Sequence, residues 1–203
     1  MEKKNKIILI GCIIFVCVAA AAMVFVNQDA KKAEEGKRLP GTTKEAVKPF
    51  GEFEVTDLDG KKVDKSIFRE ADVTMVNVWA TFCNPCLEEM PYLAELSKEY
   101  DSKNVQIIGL CLDTIQPDGK INEENVSLAK EAVAATGADY LHLIPSMELY
   151  VGLYEYVPGV PTTFFVDQEG KLLGETVTGA KSKEDWAALL EENDTGGKIN
   201  AGV

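Results

Sequence analysis

The chain has 203 residues, of which 33 are acidic and 21 basic, giving a formal net charge of -12. Once an N-terminal targeting segment is set aside, the remainder is about the size of a single domain. Its acidic balance argues against nucleic acid as a partner, because phosphate binding needs a basic surface.

The N-terminus carries the first predicted element. Residues 1–6 contain Lys3, Lys4 and Lys6, and residues 7–26 form an apolar run without a charge. This run has about the length that spans a bilayer. Basic residues before it favour a cytoplasmic N-terminus and an exported remainder. We therefore predict a cytoplasmic stretch over 1–6 and a transmembrane signal-anchor over 7–26.

Two other interpretations of the N-terminus stay open. The alanines at 19–22 are typical of a signal-peptidase site, although the apolar run continues through residues 24–26. Residues 9–12 are similar to a lipoprotein cleavage box, which would lead to lipidation at Cys12. All three interpretations place the domain that follows outside the cytoplasm.

Composition divides the rest of the chain into three parts. Residues 27–49 are polar and have no apolar period, which is typical of a solvated linker. A folded domain is predicted over 50–194, and residues 195–203 are predicted to be a C-terminal tail. Within the domain we find no internal repeat.

The domain alternates between strand and helix patterns. The predicted elements are, in chain order, a hairpin within 53–63, a buried strand at 73–79, a helix at 87–100, a strand at 105–112, a helix at 125–136 ended by Gly137, a strand at 140–144, a strand at 162–166 turning into 171–173, and a final helix capped by Ser182. This order predicts an α/β domain with a mixed central sheet covered by helices on both faces.

Two cysteines separated by two residues lie where the buried strand ends and the next helix begins. At a helix N-terminus, free backbone N–H groups and the helix dipole stabilise a thiolate on Cys83. Pro85 suits the first helical turn, where its missing N–H is not needed. Cys86 lies one turn further in and is more shielded. We predict that Cys83 attacks a disulfide and that Cys86 resolves the mixed disulfide.

Two interpretations in which the cysteine pair has no redox activity have less support than thiol-disulfide exchange. A zinc site needs two more Cys or His ligands, and outside the apolar run only Cys111 and His142 are present, far apart in sequence. A purely structural disulfide is also possible, but a chain with so few cysteines is not a disulfide-stapled scaffold. We therefore predict no metal ion and no cofactor beyond the redox-active disulfide itself.

Three polar or reactive residues outside the pair need an interpretation. Glu89 follows Cys86 by three residues on the same helical face, so it is either a general base or a solvated acid. His142, between two leucines, is expected at the edge of the core. Cys111 is expected to be a small buried residue that fills space.

Several motifs together resemble the TlpA/ResA-like branch of the thioredoxin superfamily, over about residues 50–190. They are Phe53 to Lys62, Asn77-Val78-Trp79-Ala80-Thr81, Cys83-Asn84-Pro85-Cys86, Glu89-Met90-Pro91 and Gly159-Val160-Pro161-Thr162-Thr163-Phe164-Phe165-Val166-Asp167. The resemblance implies a thioredoxin fold with a central insertion over about 113–140. It also favours Glu89 as a functional acid.

The same resemblance implies how a substrate is held. Pro161 would be a cis-proline that faces the disulfide, and Val160 would offer its backbone to a substrate peptide as an added strand. Phe82 departs from the family pattern, which usually has Trp at that position, and this bears on partner choice. The predicted substrate-binding residues are Trp79, Phe82, Asn84, Pro85, Val160 and Thr162.

The implied function is the reduction of disulfides in exported proteins, for example in cytochrome c maturation, with an integral-membrane thiol transporter as electron donor. Two other functions stay open. One is a redox-inactive binding module. The other is a thiol peroxidase, since residues 57–60 are similar to a peroxiredoxin segment, although Ala80 stands where such enzymes have Thr.

Overall fold

The computed structural model describes the backbone of residues 49–199 and the side chains up to Asn193. All of these belong to one unit. The predicted cytoplasmic stretch, the signal-anchor and all but the last residue of the linker lie outside the described residues, as do the last four residues of the tail. Between residues 49 and 199, no helix is both long enough and apolar enough to cross a membrane.

Seven strands form a single sheet in the order β2-β1-β5-β4-β3-β6-β7. The strands are β1 (Glu54–Asp57), β2 (Lys62–Asp64), β3 (Val73–Trp79), β4 (Val105–Cys111), β5 (Leu141–Ile144), β6 (Thr162–Val166) and β7 (Val177–Thr178). β4 runs parallel to both β3 and β5, whereas the other pairs are antiparallel. The predicted mixed sheet is confirmed.

Helices cover both faces of this sheet, as predicted. They are α1 (Asn84–Asp101), α2 (Glu123–Thr136), α3 (Met147–Leu153) and α4 (Lys183–Ile199), together with two 3-10 helices at Lys65–Glu70 and Leu112–Thr114. On one face, Leu93 of α1 and Trp186 of α4 pack in a cluster with Met75 of β3. On the other face, Phe68 and Leu153 pack in a cluster with Val76.

The central strand β3 shows why both faces are covered. All seven of its side chains are buried, and because side chains alternate along a strand, Met75 and Val76 enter different clusters. Such a strand must be apolar nearly throughout. Asn77 is the polar exception on the face that α1 covers, and its amide therefore needs partners inside the protein.

Several features differ from the predicted elements. The 3-10 helix at Lys65–Glu70 and α3 were not predicted, since both are too short for a helical period to be recognised. Helix α2 begins at Glu123 because Asn122 caps it, accepting a hydrogen bond from the Asn125 N–H at 3.2 Å. Its end at Gly137 is confirmed, with φ of 67° there.

The C-terminal part also differs. Residues 171–173 make only a single bridge to β6, between Leu172 and Val166. On the side of β6 away from β3, the strand that pairs with it is β7, further along the chain. Helix α4 continues to Ile199, so the domain extends past its predicted end at 194.

A glycine in β4 fills a place that a larger residue cannot occupy. Gly109 lies between Asn77 and His142 in the strand register. A β-carbon there would lie 2.1 Å from the Nδ1 atom of His142. The absence of a side chain at Gly109 therefore makes room for the buried imidazole ring.

Replacing Gly109 with alanine is expected to lower the free energy of unfolding by about 1–3 kcal/mol, because the added carbon overlaps the buried ring of His142. Urea unfolding measures the change. The matched control is Gly152→Ala in α3, where nothing lies within 4 Å of the added carbon. Equal unfolding midpoints for the two variants would contradict the expectation.

Candidate active site

The two cysteines of the motif are bonded to each other at the start of α1. Cys83 caps the helix, and its Sγ accepts a hydrogen bond from the Cys86 N–H at 3.2 Å. The Cα atoms of the two residues are 5.3 Å apart. Cys83 is 5% exposed and Cys86 is not exposed at all. A thiol arriving from outside can therefore reach the sulfur of Cys83 first, and its attack there releases Cys86 as the thiolate. Once the pair is reduced, the helix N-terminus stabilises a thiolate on Cys83.

Exposed side chains surround the opening to the disulfide. Asn84 and Pro85 are exposed in the first turn of α1, and Phe82 is 75% exposed. A large apolar ring in water is a candidate contact for a protein partner. The exposure of these three residues fits their predicted contacts with a substrate.

A loop with a cis peptide bond lies before β6. The cis bond joins Val160 to Pro161, as the resemblance implied. Val160 is partly buried against the apolar cluster that contains both cysteines. The Pro161 carbonyl accepts a hydrogen bond from the Gly179 N–H at 2.8 Å, and the pairing of β6 with its neighbours begins only at Thr162. Val160 thus lies just outside the sheet and packs against the cluster that contains the reactive pair.

Two predicted contact residues are placed differently. The Trp79 side chain is fully buried and packs edge-on against His142, with ring centroids 5.5 Å apart. The Thr162 side chain is also fully buried, and its hydroxyl donates to the Gly159 carbonyl at 2.6 Å. Neither side chain lies where a substrate can touch it, so their predicted direct contacts are corrected to roles in packing.

The carboxyl group of Glu89, one helical turn after Cys86, is buried, with 1% of the residue exposed. Its Oε1 accepts from the Asn77 amide at 2.9 Å. Its Oε2 accepts from the Trp186 indole N–H at 3.0 Å and from the Lys181 backbone N–H at 3.1 Å. The interpretation of Glu89 as a solvated acid is therefore wrong.

Burial sets the proton affinity of this carboxyl. Loss of solvent raises the pKa of Glu89 above its usual 4.5, and the hydrogen bonds from Asn77, Lys181 and Trp186 oppose the rise. A carboxyl with a raised pKa is better suited to exchange protons near neutral pH than a solvated one. Glu89 follows Cys86 by one helical turn, so this acid lies on the side of the resolving thiol.

A second carboxylate supports the chain just before the pair. Asp113 accepts hydrogen bonds from the Thr81 N–H at 3.1 Å and from the Thr81 hydroxyl. It also accepts from the thiol of Cys111 at 3.3 Å. Burial first, and then the Asp113 charge, raise the pKa of the Cys111 thiol. Cys111 is thus an unreactive buried thiol, in keeping with its predicted packing role.

The possible zinc ligands have other partners. His142 lies within hydrogen-bonding distance of the Ala138 carbonyl, at 2.9 Å from its Nε2 atom. Cys111 is bonded to Asp113, and Cys83 and Cys86 are bonded to each other. No group of three or more His, Cys, Asp or Glu side chains in the described part of the chain is placed to hold a metal ion.

The partners of Glu89 were not predicted from the sequence. Lys181 and Trp186 lie more than 90 residues after Glu89 in the chain, so local spacing cannot reveal them. Asn77 was detectable in part, because a polar residue inside a fully buried strand requires a partner. Its side-chain amide donates to both Glu89 and Thr163.

Comparisons with known proteins agree with this geometry. Residues 47–174 match the AhpC/TSA family model. The thiol-disulfide oxidoreductase ResA of Bacillus thuringiensis (strain Al Hakam) is 30% identical over 193 residues, which cover 94% of this chain and 98% of that protein. ResA of Bacillus subtilis (strain 168) is 24% identical, and the match covers 97% of this chain and 100% of that protein.

Solved structures support the fold. A thiol:disulfide interchange protein of the thioredoxin family from Chlorobium tepidum TLS superposes with a TM-score of 0.58 at 23% identity, covering 70% of this chain and 93% of that one. StoA from Bacillus subtilis gives a TM-score of 0.54 at 17% identity, with 71% and 98% covered. These likenesses confirm the thioredoxin fold. With the disulfide at the start of α1 and the match to ResA, they show that the chain belongs to the AhpC/TSA family and is a ResA-like thiol-disulfide oxidoreductase.

Proposed function

We propose that this oxidoreductase works as a reductant of disulfides in exported proteins. The observation that supports this direction most strongly is the buried Glu89 carboxyl one turn after Cys86. A negative charge near the pair opposes thiolate formation, and Asp113 adds a second carboxylate next to Thr81. A pair whose reduced form is less stabilised gives up electrons more readily.

The reduction potential of the Cys83/Cys86 couple tests the direction. We expect a value near or below about -250 mV, in the range of thioredoxin-like reductants, and a value near about -120 mV would make the pair an oxidant. Equilibration with glutathione or dithiothreitol buffers measures it. Glu89→Gln is the informative variant: if the carboxylate makes the pair reducing, its removal should make the potential less negative.

A protein substrate is proposed to add a strand beside Val160. Two observations support this proposal: Val160 packs against the cluster that contains both cysteines, and it precedes the first paired residue of β6, so its backbone takes no part in that pairing. An integral-membrane thiol transporter is proposed as the electron donor and cytochrome c maturation as one task. Reduction of an oxidised Cys-x-x-Cys-His peptide, compared with a peptide of scrambled sequence, tests the substrate class.

Attachment to the membrane is proposed from the apolar residues 7–26 alone. The full-length protein should stay in the membrane fraction after washing with high salt and with carbonate, because an inserted helix resists both. A mature N-terminus at Cys12 would replace the anchor with lipidation. A shortened protein in the soluble extracytoplasmic fraction would instead indicate secretion.

The match to the AhpC/TSA family model keeps a thiol peroxidase as a second candidate. Against it, the residue three positions before Cys83 is Ala80, which is buried and has no hydroxyl to offer a peroxide. The formed disulfide likewise counts against a redox-inactive binding module. Turnover of hydrogen peroxide, compared with reduction of insulin under the same conditions, separates the peroxidase from the reductase.

A further inference from the structure

A row of residues crosses the sheet beneath α1. In the strand register, Thr163 of β6 lies opposite Asn77 of β3, Asn77 lies opposite Gly109 of β4, and Gly109 lies opposite His142 of β5. The His142 ring leans over Gly109, since a β-carbon there would meet its Nδ1 atom. The imidazole therefore extends across β4 toward Asn77, the residue that holds Glu89.

Hydrogen bonds hold only the nitrogen side of the Asn77 amide. Its Nδ2 atom donates to the Glu89 Oε1 at 2.9 Å and to the Thr163 hydroxyl at 3.1 Å. Its Oδ1 atom is buried and has no hydrogen-bond partner within the described residues. A buried acceptor without a donor is unfavourable, so this oxygen requires one.

The His142 ring also carries a buried acceptor without a donor. A carbonyl can only accept, so the Nε2 atom that lies 2.9 Å from the Ala138 oxygen must carry the proton, and Nδ1 is a bare acceptor. Nδ1 is buried and also lacks a partner among residues 49–193. Burial lowers the pKa of His142 to about 4, against the effect of the Ala138 carbonyl. The ring is therefore neutral near neutral pH.

Two buried hydrogen-bond donors belong to rings that pack beside His142. The Tyr140 ring lies 4.4 Å from the His142 ring and the Trp79 ring 5.5 Å from it, measured between centroids. The Tyr140 hydroxyl and the Trp79 indole N–H have no partner in the described part of the chain. Two acceptors and two donors thus surround one ring. A water molecule, which donates two hydrogen bonds and accepts two, complements them.

We propose that an internal water molecule joins Asn77 Oδ1 to His142 Nδ1, and that His142 is thereby a positioning residue for Glu89. The bridge holds the amide oxygen away from Glu89 and keeps the amide N–H on the carboxylate. Without it, the amide can rotate and turn its oxygen toward Glu89. That arrangement favours a protonated carboxyl, which can donate to the oxygen.

Other charged groups face Glu89 and His142, and these groups are the same in every variant compared. Glu89 is faced by the backbone N–H and the ammonium group of Lys181, by the Trp186 indole and by the Tyr140 phenol. His142 shares a surface pocket with four charged residues on its outer side: Asp57, Asp59, Lys130 and Asp139. None of them is changed in the variants below, so they do not contribute to differences between those variants.

Two substitutions of the single histidine separate its ring atoms. His142→Asn keeps an acceptor at the δ position but loses the donor to Ala138. His142→Gln keeps a donor at the ε position but loses the acceptor toward the water. We expect the titration midpoint of Glu89 to rise by about one pH unit in His142→Gln, a shift equal to one lost hydrogen bond, and to stay unchanged in His142→Asn. A purely structural role predicts the reverse order, since asparagine leaves the larger gap.

The titration is followed by carbon NMR of the Glu89 carboxyl in the oxidised full-length protein, in which the disulfide cysteines do not titrate. Equal midpoints in both variants, or a shift in His142→Asn alone, would overturn the proposal. The wild-type protein gives an independent check: the Trp79 indole proton should show a cross-peak to a long-lived water, and its absence would also overturn the bridge. The inference rests on the proposed function only where it concerns the rate of thiol-disulfide exchange. The titration of Glu89 is measured without turnover, so it tests the water bridge separately from that function.

Discussion

Replacing Cys86 with serine is expected to convert the protein into a trap for its partners. Cys83 is the sulfur with residual exposure and the helix N-cap, so it can still attack a disulfide. Without Cys86 the mixed disulfide has no internal thiol to resolve it. Covalent complexes should therefore accumulate and turnover should be lost. Non-reducing electrophoresis followed by mass spectrometry of the captured peptides measures this and locates the bond at Cys83.

Two further cysteine variants test whether Cys83 is the attacking thiol. Cys83→Ser should form no complexes, because the remaining thiol of Cys86 is fully buried. Cys111→Ser should behave like the wild type, since burial raises the pKa of that thiol and keeps it protonated. Alkylation of the reduced protein at mildly acidic pH should modify Cys83 first. Trapping by Cys83→Ser and none by Cys86→Ser would reverse the roles of nucleophile and resolving thiol.

Glu89→Gln is expected to slow thiol-disulfide exchange by about 10²-fold, the loss typical of removing a general base. The buried carboxyl can accept the proton of Cys86 as that thiol becomes the attacking thiolate, whereas an amide cannot. The rate in the wild type should rise with pH as Glu89 loses its proton, and this rise should be absent in the variant. Stopped-flow fluorescence of exchange with an oxidised peptide, from about pH 4 to 8, provides both measurements.

Glu88→Gln is the control, because Glu88 is the neighbouring residue on the same helix but is exposed. It should leave the rate and the pH profile unchanged. If Glu89→Gln also left both unchanged, Glu89 would have no part in proton transfer. A loss of rate with an unaltered pH profile would instead indicate that the residue only positions its neighbours.

The buried Glu89 carboxyl should also make the stability of the protein depend on pH. Burial raises the pKa of Glu89 above 4.5, so the folded protein holds a proton on Glu89 at pH values where the unfolded chain has released it. The contribution of Glu89 to stability is therefore greatest below pH 4.5 and declines as the pH rises through the folded-state pKa. In Glu89→Gln this decline should disappear, which urea unfolding at several pH values measures. A decline equal to that of the wild type would contradict the raised pKa.

Much of the fold follows from short-range patterns in the sequence. The uninterrupted apolar run of β3 predicted a strand buried on both faces, and Gly137 predicted the end of α2. Cys83, Pro85 and the helical pattern after them placed a reactive pair at a helix N-terminus. These features depend on neighbours in the chain, so residue type and spacing are sufficient to predict them.

The tertiary structure decided which of these residues touch one another. Trp79 was predicted to contact a substrate, but its packing against His142 buries it. For Glu89, spacing alone favoured a solvated acid, and only the family resemblance favoured a functional one. Its burial depends on Trp186 and on the Lys181 backbone, which α4 and the loop before it bring from the far end of the chain. The sequence determined that a disulfide lies at the start of a helix, whereas the proton affinity of the acid behind it depends on desolvation by distant residues, which only the folded chain provides.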